Sequence, residues 1–359
     1  MAAIELPVIT IIVSLLVAAC SNNTPTNNPD AAPPQQGSVP MFVVSGQSGR
    51  TVTSCDDGLT WKANDFPVTT NDEFNEKGLA FGHGVFMRIM GWGAECSFMR
   101  SEDGVTWKRI TLAQAGLPNL AECGGITYNG DGFTMVHWTG DTFASDHDGF
   151  VWKKISNVDN KNEHVREVVG DGPAPGVLLA GGANDPSGMP KNPPHVSVDG
   201  GKTWKATPGC STFNALSIGQ NGGGMLGGGR MVIVGYKGQV CTSSDMVQWQ
   251  ESQLPGVAGF VQGKVSFDGE QFWVADNSRV LVSANGLAWI ERKLADNVRI
   301  SAVAKSDKGT WVAFNRETSA FYRSTDGLTW NAAKGPADGP DLHRIVFGYG
   351  KPSAQCPAK

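Results

Sequence analysis

Ser197-Val-Asp-Gly-Gly-Lys-Thr-Trp204 is one copy of a pattern that runs through this chain seven times. The other copies, from stronger to weaker, are Ser54–Trp61, Ser101–Trp107, Ser324–Trp330, Ser145–Trp152, Ser283–Trp289 and Ser244–Trp249. Their closing tryptophans lie 46, 45, 52, 45, 40 and 41 residues apart. A period of about 40–50 residues with turn residues at one fixed phase is typical of propellers, in which each repeat forms a blade of four strands. The sequence therefore predicts an all-β, seven-bladed β-propeller.

Each copy holds the residues of a tight turn followed by a strand. Asp and Ser oxygens accept hydrogen bonds from backbone N–H groups, and Gly adopts the positive φ that such turns need. The closing Trp supplies a large apolar body that can wedge between neighbouring blades. A catalytic or metal-binding role for these carboxylates would have to be repeated in every copy. We therefore expect these carboxylates to stabilise their turns by hydrogen bonds to the backbone, at Asp56, Asp103, Asp148, Asp199, Asp245 and Asp326.

This pattern resembles the Asp-box, or bacterial neuraminidase repeat, of sialidases and of many non-enzymatic propellers. The resemblance covers roughly residues 40–350 and implies a sialidase-like fold with the boxes in the turns between the third and fourth strands of each blade. Similar seven-bladed propellers include the photosystem II assembly factor family, which acts as a scaffold. The resemblance implies a fold and leaves the activity open.

The two ends of the repeated region complement each other. The first repeat begins with a second-position strand, Met41–Ser45, and lacks an innermost strand, whereas His343–Gly350 has the pattern of an innermost strand and its turn. We expect the C-terminal strand to complete the first blade and close the ring, which removes an exposed sheet edge. The predicted propeller domain spans residues 40–356.

The N-terminus has the pattern of an export signal. Leu6–Ala19 is apolar and too short to span a bilayer comfortably, and Val17-Ala-Ala-Cys20 resembles a bacterial lipobox, which implies lipidation of Cys20. Ser21 then implies delivery to the outer membrane, on its periplasmic or surface face. The alternative is an ordinary signal peptide, because the first residues carry Glu5 and no Lys or Arg. We assign residues 1–19 to the signal and 20–39 to a flexible polar tether.

Composition narrows the class of protein further. Glycine accounts for 46 of 359 residues and charged residues for 18%, which suits an all-β domain. A net charge of −5 gives no basic surface for nucleic acid. We expect no metal, because no pair of cysteines has metal-ligand spacing, and we expect no cofactor and a monomer.

The cysteines predict an oxidising compartment. Without Cys20, six remain, which allows three disulfides in fifteen pairings. Proximity in the blade arrangement favours Cys96–Cys123 and Cys210–Cys241. The remaining pair, Cys55–Cys356, would link the two ends of the chain.

The face opposite the predicted Asp boxes is the expected ligand face. One loop there, Gly181–His195, is long and rich in Pro and Gly, as recognition loops often are, although a solvated insertion without a role fits equally well. Polar residues at the start of the innermost strands should surround the mouth of the propeller's central channel. They would either bind a small polar ligand or a sugar there, or only line a water-filled channel. Trp138 would stack on sugars or pack between blades. The candidate residues are Glu76, Trp92, Glu122, Asp141, Glu163, His164, Arg166, Asp185, Lys191, Tyr236, Lys264, Arg299, His343 and Arg344.

Two hypotheses of function follow. The chain lacks the Arg-Ile-Pro motif of sialidases and has only four tyrosines, so we assign no catalytic residue. The leading hypothesis is a non-catalytic, lipid-anchored envelope propeller that binds a partner protein or a glycan. The alternative is a glycoside hydrolase that uses two carboxylates among Glu122, Asp141 and Glu163.

Overall fold

The computed structural model describes residues 36–66, 76–91, 95–158, 165, 167–171, 176–181, 194–207, 223–227, 229–258, 265–268, 270–336 and 339–358. The predicted signal and most of the predicted tether, with Cys20, lie outside these ranges. The described strands form seven four-stranded antiparallel sheets. Within these ranges, no helix has the length and apolar character that a membrane crossing requires.

The sheets follow one another along the chain, and each consists of four strands that run in order from innermost to outermost. The first sheet contains β28 (Leu342–Gly350), β1 (Val39–Gly46), β2 (Thr51–Ser54) and β3 (Lys62–Ala63), and the second contains β4 (Glu76–Gly82), β5 (Val85–Met90), β6 (Ser97–Ser101) and β7 (Lys108–Ile110). The third sheet contains β8 (Cys123–Tyr128), β9 (Phe133–His137), β10 (Asp141–Ser145) and β11 (Trp152–Asn157). The fourth contains β12 (Glu167–Asp171), β13 (Val177–Gly181), β14 (His195–Ser197) and β15 (Lys205–Ala206). The fifth sheet contains β16 (Gly223–Gly227), β17 (Arg230–Val234), β18 (Gln239–Ser243) and β19 (Gln250–Gln253). The sixth contains β20 (Val265–Phe267), β21 (Phe272–Asp276), β22 (Arg279–Ser283) and β23 (Ile290–Lys293). The seventh contains β24 (Ala302–Lys305), β25 (Trp311–Phe314), β26 (Phe321–Ser324) and β27 (Asn331–Ala333).

The position of a strand within its sheet determines its burial. The second strands are covered on both faces by neighbouring sheets, so β5 is a continuous buried run, Val-Phe-Met-Arg-Ile-Met. The outermost strands face solvent, and β3 is exposed at both of its residues. The innermost strands β4, β8 and β12 contact one another in sequence around the ring. The prediction of an all-β propeller is confirmed.

The repeated tryptophans pack between successive sheets. Trp61 of the first sheet stacks on Phe321 of the last, with ring centroids 4.2 Å apart. Trp152 of the third sheet contacts Phe98 of the second at 5.2 Å. Both indoles also donate from Nε1 to a carbonyl in their own turn, Gly58 for Trp61 and Gly149 for Trp152. Each such residue therefore joins its turn to the preceding sheet.

The ring is closed by the two ends of the chain. Strand β28 pairs antiparallel with β1 over most of its length, with Met41 opposite Gly348 and Val44 opposite Ile345. A disulfide joins Cys55 to Cys356 across a sequence separation of 301 residues. We call this junction of the first and last residues of the propeller the seam.

The other disulfides agree with the oxidised state that the sequence predicts. Cys96 and Cys123 are bonded, with Cα atoms 5.5 Å apart, and link the second and third sheets. Cys241 is also disulfide-bonded, whereas its predicted partner Cys210 lies outside the described residues.

The turns between third and fourth strands are held by Ser–Asp pairs. In the fourth sheet, Ser197 Oγ donates to Asp199, whose Oδ1 accepts from the backbone N–H groups of Lys202 and Thr203 at 3.0 and 2.9 Å. Partial burial disfavours the Asp199 carboxylate, but the hydrogen bonds from Thr203 and Ser197 outweigh it and keep its pKa below the usual value. Corresponding carboxylate–backbone bonds occur at Asp56, Asp103, Asp245 and Asp326.

Two of the weaker copies differ from the sequence-based assignment. In the third sheet the bracing carboxylate is Asp146, which accepts from Phe150 N at 3.0 Å, and Asp148 instead accepts from Arg100 through its backbone carbonyl. The assignment of Asp148 was wrong because that copy contains two aspartates, and the carboxylate of Asp146 is the one that accepts from the backbone of the turn. In the fifth sheet the serine of the turn is Ser243, one residue before the predicted Ser244.

Candidate functional site

The predicted ligand face is described in part. Trp92, Glu163, His164, Arg166, Asp185, Lys191 and Lys264 lie outside the described residues, as does most of the long loop. The backbone of Tyr236 begins a short 3₁₀ turn that ends at Gly238. Of the candidates that the structure describes, some have side chains that are buried or held in ion pairs, and others are exposed to solvent.

Glu76 belongs to a buried cluster rather than to the channel surface. Its Oε2 accepts from Arg88 Nε at 2.5 Å, and its Oε1 accepts from Ser45 Oγ at 2.9 Å. Arg88 also donates to Thr51 Oγ1 at 3.0 Å and to the carbonyl of Gly46. Burial raises the pKa of Glu76, and the guanidinium charge of Arg88 opposes that rise. Glu76 therefore joins the first and second sheets, and its carboxylate is buried and paired at the mouth side.

Arg344 forms an ion pair across the channel mouth. Its Nη2 lies 2.9 Å from Glu167 Oε2 and donates to the carbonyl of Lys77 at 2.6 Å. The two side chains are 14% and 2% exposed. A side chain on Gly125 would come within 2.4 Å of Glu167 Oε1, so glycine is needed where this pair crosses. The cross-channel pair thus touches the innermost strands of the first four sheets.

His343 precedes Arg344 and is largely buried. Burial and the positive charges of Arg316 and Arg344 lower its pKa from 6.5 to about 3, so the ring is neutral at physiological pH. Its Nε2 is buried and makes no hydrogen bond within the described part of the chain. His343 is therefore a neutral group beside several cations.

The remaining mouth-side candidates do not converge on one point. Asp141 pairs with Lys154 Nζ at 2.7 Å and accepts from Asn157 Nδ2 at 2.6 Å. Glu122 has a positive φ of 65°, and its carbonyl accepts from Trp138 N. Arg299 is exposed, and its Nη1 donates to the carbonyls of Asp296 and Val298 at 2.9 Å. Among the described residues, the carboxylates that have ion-pair partners stabilise the propeller.

A cavity of about 560 Å³ lies at the seam, on the opposite face. We call it the seam pocket, and its lining residues are Gln36, Gly37, Ser38, Phe81, His83, Gly84, Val85, Arg100, Glu102, Asp148, Tyr349, Gly350, Lys351 and Pro352. Its volume falls within the range of about 300–1,000 Å³ that is usual for small-molecule sites.

Charged groups along the seam pocket form a fixed network. Glu102 accepts from Arg100 Nη1 at 2.8 Å and from Lys351 Nζ. The hydrogen bonds from Lys351 and then from Arg100 lower the pKa of Glu102, so it stays ionised. Arg100 Nε also donates to the carbonyl of Asp148 at 2.7 Å. This network links the C-terminal segment to the turns of the second and third sheets.

Sequence reasoning missed the seam pocket and the partners Arg88 and Glu167. A signal for the pocket was present, since the first sheet has no covalent turn between its two inner strands. The Arg344–Glu167 pair left no comparable signal, because its partners come from the first and fourth sheets. The Arg88–Glu76 pair lies within the second sheet and depends on the register between β4 and β5. Among the described residues, no three His, Cys, Asp or Glu side chains are grouped as metal ligands would be.

The comparisons with known proteins bear on the fold. No protein-family model and no curated protein sequence matches this chain. Among solved structures, it resembles the GH74 enzyme of Niastella koreensis, with a TM-score of 0.57 and 13% identity over 84% of this chain and 52% of that one. It also resembles the GH74 xyloglucanase of Xanthomonas campestris, with a TM-score of 0.55 and 14% identity over 88% and 52% of the two chains. The chain thus spans about half the length of these enzymes.

A third similar structure is that of YCF48 bound to D1 peptide, with a TM-score of 0.54 and 13% identity. The match covers 88% of this chain and 94% of that one. Propellers of the same shape thus include both enzymes and a peptide-binding protein. At these identities the comparisons establish a β-propeller and no finer relationship.

Proposed function

We propose that this chain is a non-catalytic recognition module that binds a partner protein through the mouth side of a seven-bladed, Asp-box propeller. The observation that carries the proposal is the cross-channel pair of Arg344 and Glu167. A retaining or inverting glycosidase needs two carboxylates facing a sugar at a set separation. Here both carboxylates are buried in ion pairs, Glu167 with Arg344 of the first sheet and Glu76 with Arg88 of its own sheet.

The mouth side also offers groups suited to a partner surface. Arg299 is exposed at the entrance to the seventh sheet, and the long loop after β13 belongs to the same side in the predicted arrangement. Loops and exposed arginines on a rigid scaffold are common components of protein interfaces. YCF48, a propeller of similar shape, is bound to a peptide in its solved structure, which supports this kind of use for the fold.

The proposal places the propeller outside the cytoplasm on a lipid anchor. Its support is the lipobox-like sequence ending at Cys20 and the oxidised Cys55–Cys356 and Cys96–Cys123 pairs. Metabolic labelling with a palmitate analogue should label the wild-type chain, and Cys20→Ala should remove the label. Labelling that persists in Cys20→Ala would contradict the anchor.

Capture from a native envelope extract tests the recognition role. The full-length chain should retain a partner, whereas Arg299→Glu or deletion of residues 183–193 should reduce capture about tenfold or more. Lys308→Glu is the matched control, because it reverses one exposed positive charge in a turn on the opposite face. Equal loss in the control, or no loss in either mouth-side variant, would contradict the proposed surface.

Glycoside hydrolysis is the second candidate, and the similarity to GH74 enzymes favours it. It would use two carboxylates among Glu122, Asp141 and Glu163, of which Asp141 is already paired with Lys154. Any sugar release by the chain should then disappear in the Glu122→Gln/Glu163→Gln double variant. Release at an unchanged rate would exclude these two residues as the catalytic pair.

A further inference from the structure

We propose that the seam pocket is a carbohydrate-binding site for a short, uncharged oligosaccharide. The inference goes beyond the proposed function, because the pocket lies on the face opposite the mouth and involves none of the residues assigned to the partner surface.

The pocket exists because of the way the ring closes. In the second sheet, β4 and β5 are joined by a two-residue turn, His83-Gly84. In the first sheet the equivalent strands β28 and β1 come from opposite ends of the chain, which diverge beyond Gly350 and Val39. Two chain segments, Gln36–Ser38 and Tyr349–Pro352, thus replace a tight turn and form two walls of the cavity.

The balance of charges favours a neutral ligand. Arg100 and Lys351 supply two positive charges to the lining, and Glu102 and Asp148 supply two negative charges. Arg100, Glu102 and Lys351 are held to one another by hydrogen bonds. An ion in the pocket would meet charge of both signs, whereas a sugar hydroxyl can donate and accept and so matches fixed donors beside fixed acceptors.

Apolar and planar side chains complete the walls. Phe81, Val85 and Tyr349 line the pocket beside the polar network. The exposed ring of His83 packs against His147, with centroids 4.8 Å apart and the ring planes tilted by 32°. The hydroxyl of Tyr128 in turn lies 3.2 Å from His147 Nδ1 and fixes that ring. Such planar groups suit the apolar C–H faces of pyranose rings, while the polar network suits their hydroxyls.

His83 is held at the pocket by a tight turn. His83 and Gly84 have φ values of 51° and 77°, the pattern of a type I′ turn, in which Asn-Gly is the preferred pair. Histidine is among the non-glycine residues that adopt positive φ most often, so the turn accommodates it. The exposed imidazole thus lies on a tight turn within the lining of the pocket.

A buried hydroxyl on the wall also lacks a partner. Ser38 Oγ makes no hydrogen bond to the part of the chain that the structure describes. Buried polar atoms are nearly always hydrogen-bonded in folded proteins. A ligand hydroxyl beside Ser38 would supply the missing partner.

Isothermal titration of the full-length chain with cellotriose, maltotriose and triacetylchitotriose tests this site. At least one of these neutral trisaccharides should bind with a dissociation constant in the millimolar range or tighter. His83→Asn should weaken binding about fivefold without loss of thermal stability, since asparagine suits the turn and removes only the ring. Lys351→Met should weaken binding about tenfold. The control Lys202→Met, at an exposed position away from the pocket, should bind like wild type.

Absence of binding by all three probes at millimolar concentration would overturn the inference. Binding that is unchanged in both His83→Asn and Lys351→Met would do so as well, because the sugar would then occupy another site. Partner capture by these two variants should equal that of the wild type. Failure of the seam pocket is therefore distinguishable from failure of the proposed protein interface.

Discussion

The two ends of the first sheet show how differently one propeller uses its faces. At the mouth, Arg344 and Glu167 span the entrance, and Glu76 is buried against Arg88. At the opposite end, where β28 and β1 have no connecting turn, the seam pocket remains open and is lined by Arg100, Glu102 and Lys351. Polar residues near the mouth thus stabilise the ring, and the cavity arises from the connectivity of the chain.

Removal of the seam disulfide should have the largest effect on stability. In the chain-entropy description, loss of the bond that closes a loop of 301 residues costs about 6 kcal/mol. Loss of Cys96–Cys123, which closes a loop of 27 residues, costs about 4 kcal/mol. Urea unfolding of Cys55→Ser/Cys356→Ser and of Cys96→Ser/Cys123→Ser under non-reducing conditions measures the difference. Equal losses would mean that ring closure rests mainly on the β28–β1 pairing.

The buried ion pair of the mouth-side cluster should come next. Arg88→Met leaves Glu76 buried without its partner and should destabilise the fold by about 3–5 kcal/mol. The double variant Glu76→Leu/Arg88→Met removes both charges and should recover most of that loss. Chemical denaturation of the two variants measures the recovery. A double variant as unstable as the single one would show that Arg88 acts through its packing and its bonds to Thr51 and Gly46.

Acid should weaken the mouth through His343. Its folded pKa of about 3 lies below the unfolded value of 6.5, so the unfolded chain binds the extra proton first. The stabilisation is complete above pH 6.5 and is lost as the pH falls toward 3, with about 2 kcal/mol lost between pH 6.5 and 5. His343→Gln should flatten the stability profile in this window. A parallel profile for wild type and variant would contradict the assignment.

The smallest effect should be found at the Ser–Asp turns. Asp56→Ala removes a carboxylate that accepts from the backbone N–H and the hydroxyl of Thr60, and should cost about 1 kcal/mol. Asp148→Ala is the matched control, because its backbone carbonyl makes the contact with Arg100 and survives the change. Thermal unfolding measures both variants. A larger loss for Asp148→Ala would restore the role that the sequence pattern assigned to it.

The repeat was sufficient to predict the propeller and the closing strand, because Trp and turn residues recur at one phase. It also favoured the Cys55–Cys356 pair, since the other four cysteines lie closer together in the repeat. Asp148 was assigned wrongly because spacing alone cannot decide which of two nearby aspartates faces the turn.

The candidate site was less accessible to sequence reasoning. Glu76 enters an innermost strand as predicted, but its carboxylate is paired with Arg88, which lies on the next strand two residues from Met90, the residue opposite Glu76. Glu167 meets Arg344 across the ring, 177 residues away in sequence. The seam pocket depends on where two chain ends diverge, and no periodic pattern encodes that.

Recognition without hydrolysis is the role that we propose for this propeller. Incubation of the full-length chain with a panel of glycans, with retained protein and released sugar scored together, tests the absence of hydrolysis and the binding of a neutral sugar at the seam pocket in a single experiment. We predict retention on at least one neutral glycan, with no released sugar. Release that disappears in Glu122→Gln/Glu163→Gln would contradict the proposed role and identify the chain as a glycoside hydrolase.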